Sequence, residues 1–308
     1  MTASWLSVDD RPPDGHVGAA PAPDRASAPP SALVIIGQPV AHSLSPIFQN
    51  AALDHIGSAV RYGRQELAAE QVPAFLAACA SERVAGNITL PHKELAMGCV
   101  QWTTAVARRV GAVNTFWTER GTLVGHNTDV AGAAAVLRAL IGSAPAVWSE
   151  LPVVMFGAGG SAAATLIALQ DAGARAITIV ARTPSRAAAL LERLGVDARV
   201  VAEHEAAGAL QDARLVINAT PVGLRDDDWP VEIGLLPPRA AVFDLVYRRG
   251  ETPWVRACRA AGHRAEDGLR MLVEQGAAAF ECWFGVPAPR HAMWDALGIR
   301  PVAHPDPV

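Results

Sequence analysis

Two side chains of this chain could move a proton onto or off a hydroxyl group. Lys93 ends the motif GNITLPHK at residues 86–93, and Asp129 ends the motif GHNTD at residues 125–129. A lysine ammonium can stabilise the negative charge that develops on a reduced carbonyl oxygen and can then donate a proton to it. A carboxylate near the same hydroxyl would hold the lysine in place. Together the two residues could serve acid–base catalysis of an alcohol–ketone interconversion, with the proton assigned to neither residue.

Spacing alone also fits a simpler interpretation of each residue. Lys93 could be a surface lysine, and Asp129 could be the N-cap of the alanine-rich helix that it opens. Capping and catalysis do not exclude each other at Asp129. The polar motifs around both residues favour the catalytic interpretation.

Two serines form a candidate site for a carboxylate. Ser43 and Ser45 lie two residues apart in the motif HSLSP, so an extended backbone would place both hydroxyls on one side, where they could bind one acid group. The alternative is a local ST-turn that precedes a helix beginning at Pro46. With the catalytic pair, the serines predict an oxidoreductase that acts on a small polyhydroxylated acid.

A glycine-rich turn at residues 157–162 (GAGGSA) predicts a dinucleotide site. It follows the apolar run 153–156 and fits the fingerprint G-x-G-x-x-G/A, with Gly157, Gly159, Gly160 and Ser161 closest to the ligand. Glycine lets the backbone approach a pyrophosphate, which then lies on the N–H groups of the next helix. The alternative is a strand–helix turn that binds nothing.

The residues after the next strand indicate which dinucleotide is bound. The run 177–180 leads into Arg182, Thr183 and Arg186, with no acidic residue to bind the ribose hydroxyls of NAD. Guanidinium groups bind phosphate oxygens bidentately, so the pattern predicts NADP. Arg186 could instead be a solvated helix residue.

Alternating elements must position these side chains. We expect strands at 32–36 and 86–90, a helix opening at Ser45–Pro46, a helix across 66–80 despite Pro73, and a hairpin (113–117 and 123–125) that turns at 119–121. After Asp129, expected strands alternate with helices such as 186–194, which is typical of a parallel sheet with right-handed crossovers. These strands are 153–156, 177–180, 198–202, 215–218 and 242–245. A final helix at 269–284 is expected to pack on the first domain.

The composition excludes several classes of function. The 308 residues carry 26 basic and 30 acidic side chains with no basic stripe, which argues against nucleic acid, and the apolar runs are too short to span a membrane. Four cysteines without pairing motifs indicate a reducing, cytoplasmic setting. His42, His92 and His126 lack metal-ligand spacing, so we expect no metal. A monomer or a homodimer fits the sequence.

In this order, the motifs resemble those of the shikimate dehydrogenase family. The similarity covers residues 32–295 and includes HSLSP, NITLPHK, GAVNT, GHNTD, GAGGS, RTPSR, NATPVGL at 218–224 and GLRMLVEQ at 268–275. The resemblance implies NADP-linked interconversion of 3-dehydroshikimate and shikimate. It also implies a two-domain α/β fold, with an N-terminal α/β substrate-binding domain, a Rossmann-type dinucleotide-binding domain and an active site in the interdomain cleft.

The resemblance also implies roles for individual residues and boundaries for the domains. The substrate carboxylate would be bound by Ser43, Ser45 and Tyr247, and the ring hydroxyls by Thr89, Asn114 and Gln275. The catalytic residues would be Lys93 and Asp129. The 2′-phosphate would be bound by Arg182, Thr183 and Arg186, and other parts of the cofactor by Thr220 and Gly268. The expected division is a disordered tail (1–31), a substrate-binding domain (32–128 with 267–308) and an NADP-binding domain (129–266).

The chain departs from the family pattern at Gln49, Ala181, Gly276 and the loop 247–250. Ala181 stands where Asn is usual and could weaken the preference for NADP. Two rival functions stay open at this stage: a related enzyme that uses quinate or an amino analogue with NAD, and a cofactor-sensing protein without catalytic activity.

Overall fold

A computed structural model describes residues 29–248, 250–299 and 302. They form two compact units: the first holds the described residues up to Asn127 with Ala279–Ala288, and the second holds Thr128–Ala278 with the described residues from Pro289 onward. The predicted tail lies almost wholly outside the described residues. The predicted domain boundaries differ from this division mainly at the C-terminus, where most of 267–308 falls with the second unit, and they stay a prediction.

The first unit contains a mixed six-stranded sheet among its described residues, in the order β2-β1-β3-β5-β6-β4. Strands β1, β2 and β3 are parallel, whereas β5 is antiparallel to both β3 and β6. β1 has the apolar sequence ALVIIG and pairs on both sides, which suits a buried strand. The strands are β1 (Ala32–Gly37), β2 (Tyr62–Glu66), β3 (Val84–Ile88), β4 (Trp102–Thr103), β5 (Thr115–Glu119) and β6 (Thr122–His126).

Three helices of the first unit connect these strands. α1 (Ser45–His55) and α2 (Val72–Glu82) each begin with proline in the first turn, where its missing N–H costs nothing. α3 (Ala105–Val110) begins at the N-cap Thr104, whose hydroxyl accepts the N–H of Ala107. Apolar side chains of β1, β3, β5 and α2, with Val113 from the connection before β5, form the core, including Ile36, Leu76, Ile88 and Phe116.

The second unit contains a parallel six-stranded sheet in the order β9-β8-β7-β10-β11-β12. Counted within this sheet the order is 3-2-1-4-5-6, which is that of the Rossmann fold. All residues of β7, β10 and β11 are buried, as expected for strands covered by helices on both faces. The strands are β7 (Val153–Phe156), β8 (Ile177–Ala181), β9 (Arg199–Ala202), β10 (Leu215–Asn218), β11 (Ala241–Asp244) and β12 (Ala265–Glu266).

The remaining helices flank this sheet or follow it. α4 packs closely on a later helix, α10, because Gly132 of α4 lies against Met271 and Gln275, where a Cβ atom would be 2.7 Å from the Met271 carbonyl oxygen. The helices are α4 (Asp129–Ile141), α5 (Pro145–Ser149), α6 (Gly160–Ala172), α7 (Pro184–Leu194), α8 (Ala206–Leu210), α9 (Pro253–Ala260), α10 (Gly268–Phe284) and α11 (Arg290–Leu297). The division between the units passes through α10, after Ala278.

One predicted helix begins later than expected, and some short observed elements were not predicted. The helix expected across 66–80 begins only at Val72, because residues 62–66 form β2 and Pro73 belongs to the first turn rather than the interior. The two-residue strands β4 and β12 have too little sequence to show a period and were not predicted. The other predicted strands and helices are confirmed to within two residues at most of their ends. The hairpin turn has positive φ at Arg120 and Gly121, as a two-residue hairpin loop requires.

Candidate active site

The two serines lie in a turn, not in the extended backbone that we expected. Ser43 N–H donates to the Val40 carbonyl, and Ser45 is already the first residue of α1. The Ser43 hydroxyl oxygen accepts the Ser45 N–H at 3.2 Å, so the alternative ST-turn is the observed structure. The expectation was wrong because the helix begins one residue before Pro46. Since Ser43 only accepts in this turn, its own proton stays available to donate to a ligand.

Buried polar groups connect this turn with Asn114. The Tyr62 hydroxyl donates to Asn87 Oδ1 at 2.6 Å, and Asn87 Nδ2 donates to the Asn114 carbonyl at 3.1 Å. Ser45 hydrogen-bonds the same Tyr62 hydroxyl; burial raises the pKa of Tyr62, and this hydrogen bond and the charge of Arg64 partly offset the effect. Ser45, Asn87 and Asn114 are all buried. Tyr62 and Asn87 were not predicted as site residues. Asn87 is part of the motif NITLPHK, whereas only the fold brings Tyr62 beside the motifs.

Thr89, Lys93 and Asn114 lie close together in the first unit. Thr89 N–H donates to Ile36 of β1, and the Thr89 carbonyl accepts the His92 N–H, so the chain turns directly after β3. The Lys93 carbonyl then accepts the N–H of Val113, the residue before Asn114. His92 is buried and its Nε2 lies 2.7 Å from the Leu67 carbonyl, which fixes the backbone on the other side of Lys93. The structure therefore places these predicted residues, with Ser45, around the same end of the sheet.

Asp129 and Gln275 are neighbours in the second unit. Asp129 is the first residue of α4 and is buried, and the N-cap position belongs to Thr128, so the suggestion that Asp129 caps the helix is wrong by one residue. Thr128 Oγ1 lies 3.5 Å from Gln275 Oε1. The Gln275 amide nitrogen donates to the Leu272 carbonyl. This hydrogen bond holds the Gln275 side chain on α10, beside the start of α4.

The glycine turn has the geometry of a phosphate-binding loop. Gly157 has φ +95°, and a Cβ atom there would lie 2.9 Å from the Ala219 carbonyl oxygen and from Thr220 Cγ2. Only glycine fits this position. At Gly159, in contrast, a Cβ atom would meet nothing within 4 Å, so open space lies in front of the turn. α6 begins at Gly160, which gives this space the free N–H groups of a 13-residue helix.

The other predicted cofactor residues lie at the ends of neighbouring strands. Arg182, Thr183 and Arg186 follow β8 and are exposed, which suits an anion that arrives from solvent. Thr220 follows β10, where its hydroxyl donates to Asn218 Oδ1 at 2.6 Å. Gly268 N–H donates to the Val246 carbonyl, which places Gly268 beside Tyr247. Burial raises the pKa of Tyr247, so its hydroxyl keeps the proton that it would donate to a carboxylate.

Comparison with known proteins identifies the family. Residues 35–116 match the family model of the shikimate dehydrogenase substrate binding domain, residues 143–223 match that of shikimate / quinate 5-dehydrogenase, and residues 268–297 match that of the shikimate 5'-dehydrogenase C-terminal domain. The chain is 41% identical over 262 residues to the shikimate dehydrogenase (NADP(+)) of Methylocella silvestris, which covers 84% of this chain and 91% of that protein. The chain belongs to the shikimate dehydrogenase family.

Solved structures of the family share this fold. Shikimate 5-dehydrogenase of Thermus thermophilus, in complex with NADP(H) and shikimate, has a TM-score of 0.75 and 36% identity, over 87% of this chain and 98% of that one. The ligand-free 5-ketofructose reductase of a Gluconobacter strain has a TM-score of 0.76 and 30% identity, over 87% of this chain and 98% of that one. Similarity of fold alone therefore does not separate an acid substrate from a sugar.

Two buried carboxylates, Asp244 and Asp267, were not predicted from the sequence. Asp244 ends β11 and accepts hydrogen bonds from Asn218, Val246 and Thr252. Burial raises its pKa to about 6, against the effect of these hydrogen bonds. Since Asn218 also holds Thr220, Asp244 supports the loop that closes on Gly157. An aspartate between apolar residues and a turn gives no sequence signal of this role.

Asp267, directly before Gly268, titrates in the neutral range. Burial raises its pKa to about 7; the Leu269 N–H and Arg259 oppose this, whereas Glu266 and Asp244 add to it. The ordinary value for aspartate is about 3.9. Because the folded-state pKa is the higher one, the folded protein keeps a proton that the unfolded chain loses between about pH 4 and 7. Stability is therefore expected to fall as the pH rises through this window.

Replacing Asp267 by asparagine should remove this loss. The asparagine oxygen can still accept the Leu269 N–H, which is 2.9 Å from Asp267 Oδ1. We expect Asp267→Asn to raise the midpoint of thermal unfolding, relative to wild type, at pH 8 and to have a smaller effect at pH 4, measured by circular dichroism. An equal difference between the two proteins at both pH values would contradict the assignment.

Within the described part of the chain, no group of three or more His, Cys, Asp or Glu side chains is arranged to hold a metal ion. Over the same residues, no helix combines the length and the apolar character needed to cross a membrane. Of the exposed residues Asp226, Asp227 and Asp228, Asp226 caps its own loop, because its Oδ1 accepts the N–H groups of Gly223 and Asp228, and Asp227 pairs with Arg248.

Proposed function

We propose that this chain is an NADP-dependent oxidoreductase that reversibly reduces 3-dehydroshikimate to shikimate, a step toward aromatic amino acids. The observation that carries the proposal is the cluster in the first unit, where Ser43 and Ser45 share one turn and Ser45 is linked to Asn114 through buried polar groups. The two serines offer hydroxyl donors for an acid group, and they lie beside the amide of Asn114, the hydroxyl of Thr89 and the amine of Lys93. This set of groups matches a small acid that carries several hydroxyls. The two shikimate dehydrogenases named above support the same reaction.

Each predicted residue then has a role that its chemistry allows. Ser43, Ser45 and Tyr247 would donate to the carboxylate, and Thr89, Asn114 and Gln275 would bind and orient the ring hydroxyls. Lys93 and Asp129 are proposed as the acid–base pair at the hydroxyl that becomes the ketone. The ammonium stabilises the developing oxyanion and exchanges the proton, while the carboxylate orients both groups.

The residues at the glycine turn fit NADP. The open space at Gly159 and the N-terminus of α6 suit a pyrophosphate, and Arg182, Thr183 and Arg186 offer cationic and hydroxyl donors for a 2′-phosphate. Ala181 is buried at the end of β8, so the missing asparagine side chain leaves these three residues as the proposed 2′-phosphate site. NADP, when bound, supplies or accepts the hydride.

Two other substrates need to be separated from shikimate. Quinate is also an acid, with one more hydroxyl beside the carboxylate. The family resemblance implies that threonine in place of the second serine of HSLSP is associated with quinate, so Ser45 favours shikimate. A reductase for 5-ketofructose would act on a neutral sugar, which has no carboxylate for the two serines to bind.

The deciding assay follows absorbance of the reduced nicotinamide. The purified protein is mixed with NADP or NAD and with shikimate or quinate, and in the reverse direction with NADPH and 5-ketofructose. We expect the highest kcat/KM with shikimate and NADP. Turnover of 5-ketofructose alone, or binding of NADPH with no oxidation or reduction of any of these compounds, would refute the proposal; the second result would favour a cofactor sensor.

Cofactor choice is expected to depend on the arginines after β8. We predict that the double substitution Arg182→Gln and Arg186→Gln raises KM for NADP by about 100-fold, since each charged hydrogen bond to a phosphate contributes roughly 1.5–3 kcal/mol. KM for NAD, which has no 2′-phosphate, should change less than threefold. Both residues are exposed, so the fold should persist. An equal rise in KM for NADP and for NAD would show that the arginines do not bind the 2′-phosphate. Arg193→Gln, in the last turn of α7, is the control.

A cytoplasmic location and a monomeric or homodimeric state complete the proposal. The cytoplasmic location is inferred from the cysteine pattern, and both oligomeric states fit the sequence. Size-exclusion chromatography with light scattering would measure the oligomeric state directly.

A further inference from the structure

One face of the edge strand β2 is directed at the turn that contains Ser43 and Ser45 (residues 40–45), which we call the serine turn. Tyr62, Arg64 and Glu66 alternate along β2, so their side chains project to the same side. Each of the three contacts the segment that runs from Val40 to Ser45. Glu66 Oε2 accepts the Val40 N–H at 3.5 Å, at the beginning of this segment. None of these contacts could be read from the motif HSLSP itself.

Arg64 binds the backbone of the first serine. Its Nε and Nη2 both donate to the Ser43 carbonyl, at 3.1 and 2.6 Å. This two-point contact fixes the peptide plane between Ser43 and Leu44, and with it the Ser43 hydroxyl that accepts the Ser45 N–H. The guanidinium also brings a positive charge beside the two hydroxyls. Arg64 itself is exposed, so its contact is not needed to fill the core.

Tyr62 binds the side chain of the second serine and is held at both its hydroxyl and its backbone. Its hydroxyl contacts Ser45 and Asn87. Its backbone N–H and carbonyl are paired with the Asn50 side chain of α1, at 2.9 and 3.0 Å, and Asn50 also donates to the Pro46 carbonyl. The start of α1 and the residue that holds Ser45 are therefore tied to each other by three hydrogen bonds.

We propose that Arg64 and Tyr62 are positioning residues for the substrate carboxylate, Arg64 acting through Ser43 and Tyr62 through Ser45. This inference rests on the proposed function, because it takes the two serines as the carboxylate site. Neither residue need touch the substrate. Small errors in the position of a binding group lower affinity strongly, and such positioning by surrounding hydrogen bonds is general in binding sites.

Arg64→Gln is the first test. We expect KM for shikimate to rise about tenfold, with kcat and KM for NADP changed less than twofold, because the chemical step and the cofactor site are untouched. Arg64→Lys keeps the charge but has no planar pair of donors, so it should recover less than half of the loss. Arg61→Gln is the matched control, since Arg61 is an exposed neighbour that pairs with Asp54 instead of the serine turn.

Tyr62→Phe tests the second half through Ser45. We expect KM for shikimate to rise about threefold in the wild-type background and not at all in a Ser45→Ala background, since Tyr62 acts only through that hydroxyl. If Tyr62→Phe fails to fold because Asn87 loses its partner, the Arg64 series still decides the proposal.

The outcomes separate this inference from the proposed function. A wild-type protein without shikimate turnover removes the proposed function itself. An active wild type with an unchanged KM in Arg64→Gln, a fall in kcat in place of the rise in KM, or full recovery by Arg64→Lys would overturn the positioning role.

Discussion

Replacing Lys93 by alanine is expected to lower kcat for shikimate oxidation by about 10⁴-fold, while the Kd for NADPH changes less than twofold. The loss combines general acid–base catalysis, typically about 10²–10⁴-fold, with electrostatic stabilisation of the oxyanion, about 10²–10³-fold for one donor, and the two effects overlap. Steady-state rates and fluorescence titration of NADPH measure the two quantities. A variant that keeps more than a tenth of the wild-type kcat would exclude Lys93 as the catalytic group.

Arginine at position 93 separates the two contributions. A guanidinium keeps the positive charge but stays protonated throughout the accessible pH range, so it can stabilise an oxyanion and cannot exchange its proton. We therefore expect Lys93→Arg to lose the acid–base contribution, about 10²–10⁴-fold in kcat, and to be more active than Lys93→Ala because it keeps part of the electrostatic contribution. Substantial activity in the arginine variant would mean that charge alone is required and that the proton moves elsewhere.

The composition of the chain makes Lys93 unusually easy to examine. Lys93 is the only lysine in the sequence, and the other 25 of its 26 basic residues are arginines. An amine-selective reagent can therefore modify only this side chain and the N-terminus. If Lys93 acts as proposed, activity should be lost in proportion to the modification of residue 93, which mass spectrometry measures. Shikimate should slow both the modification and the loss of activity.

Sequence reasoning was most successful where a local pattern determines the structure. The turn 157–162 and its helix were predicted because glycine positions and a strand–helix alternation are local features. The same holds for the hairpin at 119–121, where positive φ angles are needed at Arg120 and Gly121. The motifs also identified residues that the fold brings together, such as Thr89, Lys93 and Asn114.

Prediction from the sequence failed where the structure depends on contacts between distant segments. The geometry of Ser43 and Ser45 was wrong because α1 begins at Ser45, and the turn is held by Arg64 from another strand. Tyr62 and Asn87 join these serines to Asn114 through the interior, which a linear pattern does not show. Asp267 looked like any loop aspartate, because its raised pKa results from burial by the folded chain.

Asp129→Asn is expected to lower kcat by about 10³-fold with little change in stability. The amide keeps the size of the side chain but loses the charge that would orient the lysine ammonium and share the reacting hydroxyl. Asp129 is the first residue of α4, so the substitution also removes a favourable interaction with the helix dipole, which is worth only about 0.3–1 kcal/mol. Thr128, at the N-cap position, is unchanged.

The two interpretations of Asp129 thus predict opposite patterns of loss. A purely structural aspartate would lower the unfolding midpoint and leave kcat per folded molecule intact. The proposed catalytic aspartate lowers kcat and leaves the midpoint within a few degrees of wild type, because 1 kcal/mol shifts Tm by only about 2–4 °C in a protein larger than 150 residues. Combining Asp129→Asn with Lys93→Ala should cost little more than Lys93→Ala alone, since residues that act as one unit are strongly non-additive. Independent, additive losses would show that the two side chains serve different steps.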